Sequence, residues 1–201
     1  SVPTRRSSDL LAETGVTRAE FETKIKTGAV AECFHRVPVK EGDTMFLPSG
    51  RVHAIGAGLV IFEIQQNSDT TYRVFDWNRV GLDGKPREVH VAESLASIDF
   101  ADFEPALAGD VFVDGKKGKQ RRLVEHALFS IDEFQVNAAA DFAFGSEKPH
   151  VIALVKGKLS MAGNSMEVTL SPGQFGLIPA TCSDVSLLVD AGSVFLMATP
   201  G

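Results

Sequence analysis

The stretch GRVHAIGAGLVIFEIQQNSDTTYRVFDW, Gly50 to Trp77, gathers most of the side chains of this 201-residue chain that could do chemistry together. His53 stands at the entrance of an apolar run that passes into Glu63, Gln65, Gln66, Asn67, Asp69 and Arg73. A buried polar group left without a partner costs roughly 1–3 kcal/mol, so polarity threaded through a buried strand needs a pairing or a task. An imidazole, carboxylates and a guanidinium offer three: ligating a metal, moving a proton and holding an anion. If the run is a strand, Leu59, Ile61, Glu63 and Gln65 share one face, and positions 60, 62, 64 and 66 share the other. Glu63 and Gln65 then point together. The bend expected at NSDTT leaves the facing of Asp69 and Arg73 open.

The remaining candidates are weaker. His35, His90, His126 and His150 stand in no ligand-like grouping, and Ile152 occupies the place where a His-x-His pair beginning at His150 would need its second member. GKKGKQRR, Gly115 to Arg122, carries five positive charges in eight residues. Its strand-like flanks read as a solvated hairpin tip rather than a nucleic-acid patch. Met161 and Met166 read as core or edge packing, and Phe75 and Trp77 as wall.

These residues must be positioned by recognisable elements. TRAEFETKIK, Thr17 to Lys26, predicts a short helix, with Thr17 capping it, Glu20 three residues on, Phe21 and Ile25 on one face and Gly28 as the stop. From Val37 the signals become those of strands: TMFLP, GLVIFEI, TYRVFDW and EVHVA, separated by turn residues such as LDGKP. ESLASIDF adds a short helical turn. After Gly109 the chain reads as antiparallel β-structure with turns every 8 to 12 residues, which points to a sandwich or barrel. An echo links the halves, since Gly42 and Pro48 are spaced as Gly173 and Pro179 are. Two copies of one β motif imply two related barrels, with His53 of the first in register with Asp184 of the second.

Composition narrows the partners. The chain is 44% hydrophobic, enough for a sizeable core, and its formal charge is −6 with 20 Lys and Arg against 26 Asp and Glu. That balance argues against nucleic acid and acidic membrane surfaces and for a small molecule. Two cysteines, Cys33 and Cys182, suggest no disulfide framework, and no apolar stretch is long enough to span a bilayer. A cytoplasmic setting is expected. SVPTRRSSD, residues 1–9, reads as a foreign or frayed end.

Gly42-x5-Pro48-x-Gly50-x2-His53 resembles the second motif of the cupin superfamily, whose histidine ligates a metal inside a small barrel; the usual Asn four residues on is Ala57 here. The longer text VKEGDTMFLPSGRVHAIG through EIQQNSDTTYRVFDW to REVHVAESL resembles the bacterial type I, zinc-dependent mannose-6-phosphate isomerases. The likeness runs from about Leu10 to Phe100 and continues more weakly to the C-terminus. It implies an all-β cupin or jelly-roll chain with a short helical insertion. Residues 1–109 would be the C-terminal part of a catalytic cupin domain, and 110–201 a second cupin-like domain without metal ligands.

The resemblance also implies an activity in carbohydrate metabolism, the interconversion of mannose 6-phosphate and fructose 6-phosphate by zinc-assisted proton transfer through an enediol. His53 would be a zinc ligand, and Arg73, Asp69 and Glu63 would line the sugar-phosphate pocket as catalytic residues. The intact protein is expected to be a monomer that binds one zinc ion and a small-molecule sugar phosphate. The family completes its zinc site with an upstream Gln-x-His pair and a Glu. LLAETGVTRAEFE resembles a point well inside the family's chain, so this chain is expected to be an N-terminally truncated representative, inactive alone. A non-catalytic sugar-binding cupin is the alternative. A cupin oxygenase would need a His-x-His cluster, which the sequence lacks.

Overall fold

A computed structural model describes residues 7–11, 15–68, 70–76, 83–102, 106–144, 147–163, 166–182 and 184–201. The chain divides into two units, Ser1–Leu107 and Ala108–Gly201.

In the first unit the predicted helix forms as α1, Arg18–Thr27. Thr17 closes a capping box: its hydroxyl accepts from the Glu20 amide at 3.3 Å, and the Glu20 carboxylate accepts from the Thr17 amide at 2.9 Å. The helix ends at Gly28. Its apolar side buries Phe21 against Val30, Cys33 and Leu95, with Ile25 and Phe100 packed around them. Three strands, β1 (Ser7–Leu11), β2 (Phe34–Pro38) and β3 (His53–Ile55), make an antiparallel sheet in the order β2-β1-β3. Ser7 to Asp9, expected to be part of a frayed end, therefore lie in a strand.

The strands expected at TMFLP, GLVIFEI, TYRVFDW and EVHVA do not form among the described residues. Residues 59–66 and 70–76 carry no strand, and Val60 is 96% exposed. The alternation of side chains specifies a face, but a strand exists only where a neighbouring backbone completes the ladder. At EVHVA the chain turns helical instead, as α2, Val91–Ser97. Its Ala92, Glu93, Leu95 and Ala96 are good helix formers, and Glu93 in the first turn suits the helix dipole.

The second unit follows the sequence pattern closely. Among its described residues the strands are β4 (Val113–Gly115), β5 (Gly118–Glu125), β6 (Phe129–Val136), β7 (Ala140–Phe144), β8 (His150–Lys156), β9 (Leu159–Gly163), β10 (Met166–Leu170), β11 (Phe175–Ile178), β12 (Val185–Val189) and β13 (Val194–Pro200). They form an antiparallel six-stranded sheet, β11-β8-β13-β6-β5-β4, and an antiparallel four-stranded sheet, β10-β9-β12-β7. Ile152, Leu154, Leu159, Leu187, Val189 and Phe195 make a core in which Phe134 stacks on Phe195 at 4.8 Å and Phe142 meets it edge-on. Among the described residues the chain is thus an all-β protein of jelly-roll type with two short α-helices.

The basic octapeptide lies where its flanks place it, with a two-residue turn joining β4 to β5 between Gly115 and Gly118. Arg121 and Arg122 are neutralised across the ladder by Glu133 and Asp132. The repeat is equally real. Gly42 and Gly173 both adopt left-handed φ, +86° and +88°, and the carbonyls of Pro48 and Pro179 both accept from the amide three residues on, Arg51 and Cys182, at 3.1 and 3.0 Å.

Candidate functional site

His53 opens β3, opposite Leu10 of β1, and is exposed. The loop before it is tightly held. Gly50, at φ +91°, brings its backbone against the turn after α2, where a Cβ would lie 3.1 Å from the Ser97 carbonyl oxygen; the Gly50 carbonyl accepts from the Asp99 amide at 3.0 Å. The Arg51 guanidinium donates to both oxygens of Asp102 at 2.7 Å and to the Phe46 carbonyl at 2.7 Å. This pairing holds the Asp102 carboxyl below its ordinary pKa, the hydrogen bonds outweighing the opposing effect of burial. The Arg51 carbonyl, in turn, lies 3.2 Å from His53 Nδ1.

Arg73 sits in a second cluster. Its Nη1 donates to the Glu88 carbonyl at 3.0 Å, and its Nε lies 3.7 Å from Asp76. Its backbone is pinned to His90 in both directions, the Arg73 carbonyl accepting from the His90 amide at 2.8 Å and His90 Nδ1 from the Arg73 amide at 3.3 Å. Because it accepts there, His90 carries its proton, when neutral, on Nε2. Asp76 is buried and takes a two-pronged bond from Arg87, whose own pKa is raised by it. Two guanidiniums converge on one carboxylate, with 28% of the Arg73 side chain and 40% of Arg87 still exposed, and the Glu88 carboxylate stands in the same cluster, 4.0 Å from His90 Nε2.

The expected site residues are only partly assembled by these contacts. Neither the described bonds of His53 nor those of Arg73 reach the other residue or Glu63, and Glu63 is exposed. Asp69 and Trp77 lie outside the described residues. Arg87 and Asp76 were missed by sequence reasoning. The available signal was Asp76 itself, a carboxylate between Phe75 and Trp77 that must find a cation if buried.

Zinc is the ion that the resemblance to the type I isomerases implies at His53. A neutral imidazole with a free Nε2 is a good zinc donor, but zinc sites take about four ligands, with three from protein in catalytic ones. Among the described residues no cluster of three His, Cys, Asp or Glu could hold a metal. His35 shares the face of His53, since both stand opposite Leu10 in the sheet, yet a whole strand separates them, roughly 9–10 Å. The described donors do not make a zinc site by themselves.

The second unit offers a cavity of about 400 Å³ lined by Asp110, Gln120, Arg121, Arg122, Asp132 and Phe134 among others. Its arginines are already bonded to Glu133, Asp132 and Glu125. Among the described residues, no helix is long and apolar enough to cross a membrane.

No family model matches the chain. Mannose-6-phosphate isomerase ManA of Bacillus subtilis (strain 168) is 34% identical over 167 residues, covering 81% of this chain and 51% of that protein. The mannose-6-phosphate isomerase of Streptococcus mutans serotype c is 32% identical over 123 residues, covering 61% and 38%. The probable mannose-6-phosphate isomerase GmuF of Bacillus subtilis is 28% identical, covering 85% and 54%. The chain spans about half the length, or less, of these curated relatives. Among solved structures, the mannose 6-phosphate isomerase from Bacillus subtilis superposes with a TM-score of 0.82 at 24% identity, covering 97% of this chain and 61% of that one. A phosphomannose isomerase from Salmonella typhimurium gives 0.60 at 19%, covering 91% and 45%. These two likenesses show a shared fold.

Proposed function

We propose, from a chain homologous to the bacterial mannose-6-phosphate isomerases, that the protein carrying it is an aldose–ketose isomerase of sugar phosphates, interconverting mannose 6-phosphate and fructose 6-phosphate. The 34% identity to ManA of Bacillus subtilis carries this reading. The geometry supports it through Arg73, a guanidinium held on two sides yet partly open. Isomerisation moves a proton between C2 and C1 and develops negative charge on oxygen on the way to an enediol. A fixed guanidinium stabilises such charge without reorganising. Glu63 and Asp69 are assigned with Arg73 to the sugar-phosphate pocket as catalytic residues. His53 is assigned as one zinc donor, the rest of the set lying outside the described residues, and the net charge of −6 supports a small-molecule substrate over nucleic acid.

The test is turnover of mannose 6-phosphate by the whole protein that carries this chain, beside the 201-residue chain alone. The whole protein is expected to isomerise the sugar with one zinc bound; the 201-residue chain is expected to hold less than one zinc and show no turnover. In the whole protein, Arg73→Ala is expected to lower kcat about a hundredfold or more with zinc retained. His53→Ala is expected to lose zinc affinity and recover in part with excess metal. Saturable sugar-phosphate binding by the whole protein, without zinc or turnover, would replace this reading with a non-catalytic sugar-binding cupin.

A further inference from the structure

We infer that Arg51 and Asp102 form a positioning clamp that fixes the tautomer of His53, placing the proton on Nδ1 and leaving the Nε2 lone pair facing outward. The contact between His53 and the backbone is chemically asymmetric. A carbonyl oxygen has lone pairs and no hydrogen, so the 3.2 Å contact between His53 Nδ1 and the Arg51 carbonyl is a hydrogen bond only if Nδ1 carries the proton. Free neutral histidine favours the opposite form, with the proton on Nε2. The local structure must therefore hold the carbonyl in place if it is to reverse that preference.

The means are visible in the loop. Arg51 is tied at both ends of its own residue: its amide donates to the Pro48 carbonyl at 3.1 Å, while its side chain is gripped by Asp102 and the Phe46 carbonyl. Only 14% of the Arg51 side chain and 21% of that of Asp102 remain exposed. The residue before it, Gly50, is locked against Ser97 and Asp99. Asp102 is fixed in turn, its amide donating to the Asp99 carbonyl at 3.3 Å. A carbonyl in such a frame has little freedom to swing away from the imidazole. A planar fork bound to both carboxylate oxygens resists rotation in a way a lysine ammonium cannot.

The consequence is directional. With Nδ1–H spent on the backbone, His53 meets any electrophile through Nε2, and the ligand class that suits it is a borderline-soft divalent cation. That use rests on the reading proposed above, while the tautomer does not. Arg51 and Asp102 are positioning residues in this scheme and touch no substrate.

The experiment reads the tautomer directly. Two-bond proton–nitrogen correlation spectra of the histidine-labelled 201-residue chain, at a pH where the imidazole is neutral, separate Nδ1–H from Nε2–H forms. His53→Gln assigns the signal. The wild-type chain is expected to show His53 as Nδ1–H. Arg51→Lys, which keeps the charge and loses the fork, is expected to cut the ratio of Nδ1–H to Nε2–H about tenfold, the worth of one ordinary hydrogen bond. Asp102→Asn should give a smaller shift in the same direction, with His150 in the second unit unchanged. A wild-type His53 in the Nε2–H form overturns the clamp without recourse to any variant. An unchanged ratio in a folded Arg51→Lys chain overturns it as well. Because neither metal nor substrate is present, the clamp can fail while the isomerase reading stands, and the reverse.

Discussion

Asp76 shows what a single residue in an apolar string can commit the chain to. It is 8% exposed, and Arg87 and Arg73 converge on it from positions eleven and three residues away. Replacing it by Asn keeps the shape and removes the charge that holds both guanidiniums. Asp76→Asn is expected to destabilise the first unit by about 1–3 kcal/mol, the range for disrupting a buried charged hydrogen bond, and amide exchange in α1 and α2 would read the loss. Glu22→Gln, which breaks an exposed helical pair with Lys26, should leave those amides unchanged. The same scale explains what sequence could and could not reveal of the site. His53, Glu63 and Arg73 announce themselves by type within one stretch. Arg51 with Asp102 is a pairing across 51 residues, and no local period encodes it.

Among the elements, those whose partners lie nearby in sequence were legible. α1 carries its own start and stop in Thr17, Glu20 and Gly28, and the strands of the second unit alternate between turn residues that place each beside a neighbour. GLVIFEI has the same composition but no ladder among the described residues, because pairing belongs to two segments rather than one. The repeated Gly–Pro motif was legible because both copies make the same turn. Its glycines also give a graded test, for Gly50 and Gly173 both have φ near +90°. An alanine at Gly173 meets nothing within 4 Å, so only backbone strain opposes it, about 1–2 kcal/mol. At Gly50 the new Cβ must also push Ser97 and Asp99 away. Gly50→Ala is therefore expected to cost more than Gly173→Ala in urea titrations read by unit-specific exchange, and equal costs would count against the tight approach of the loop to the turn after α2.

For the molecule as a whole, acid should not weaken the two units together. In the second unit, His150 donates to or accepts from Thr199 at 2.9 Å, and burial lowers its pKa below the ordinary histidine value. The unfolded chain then takes up its proton first as pH falls, so this contribution to stability is intact above about pH 6.5 and diminishes below it. Asp102 in the first unit works in a different window. Its folded pKa lies below the unfolded value of about 3.9, so the Arg51 pairing contributes in full above about pH 4 and is lost progressively as pH falls from there through the folded pKa. Between about pH 6.5 and pH 4, the His150 contribution declines while the Asp102 contribution holds. Hydrogen exchange in β8 and β13, followed from pH 7.5 to 4.5 and corrected for intrinsic rates, should show protection falling. His150→Gln, neutral at every pH and still able to bond Thr199, should flatten that fall. If the variant lost protection along the same curve as the wild type, the acid sensitivity of the second unit would lie in its carboxylates instead.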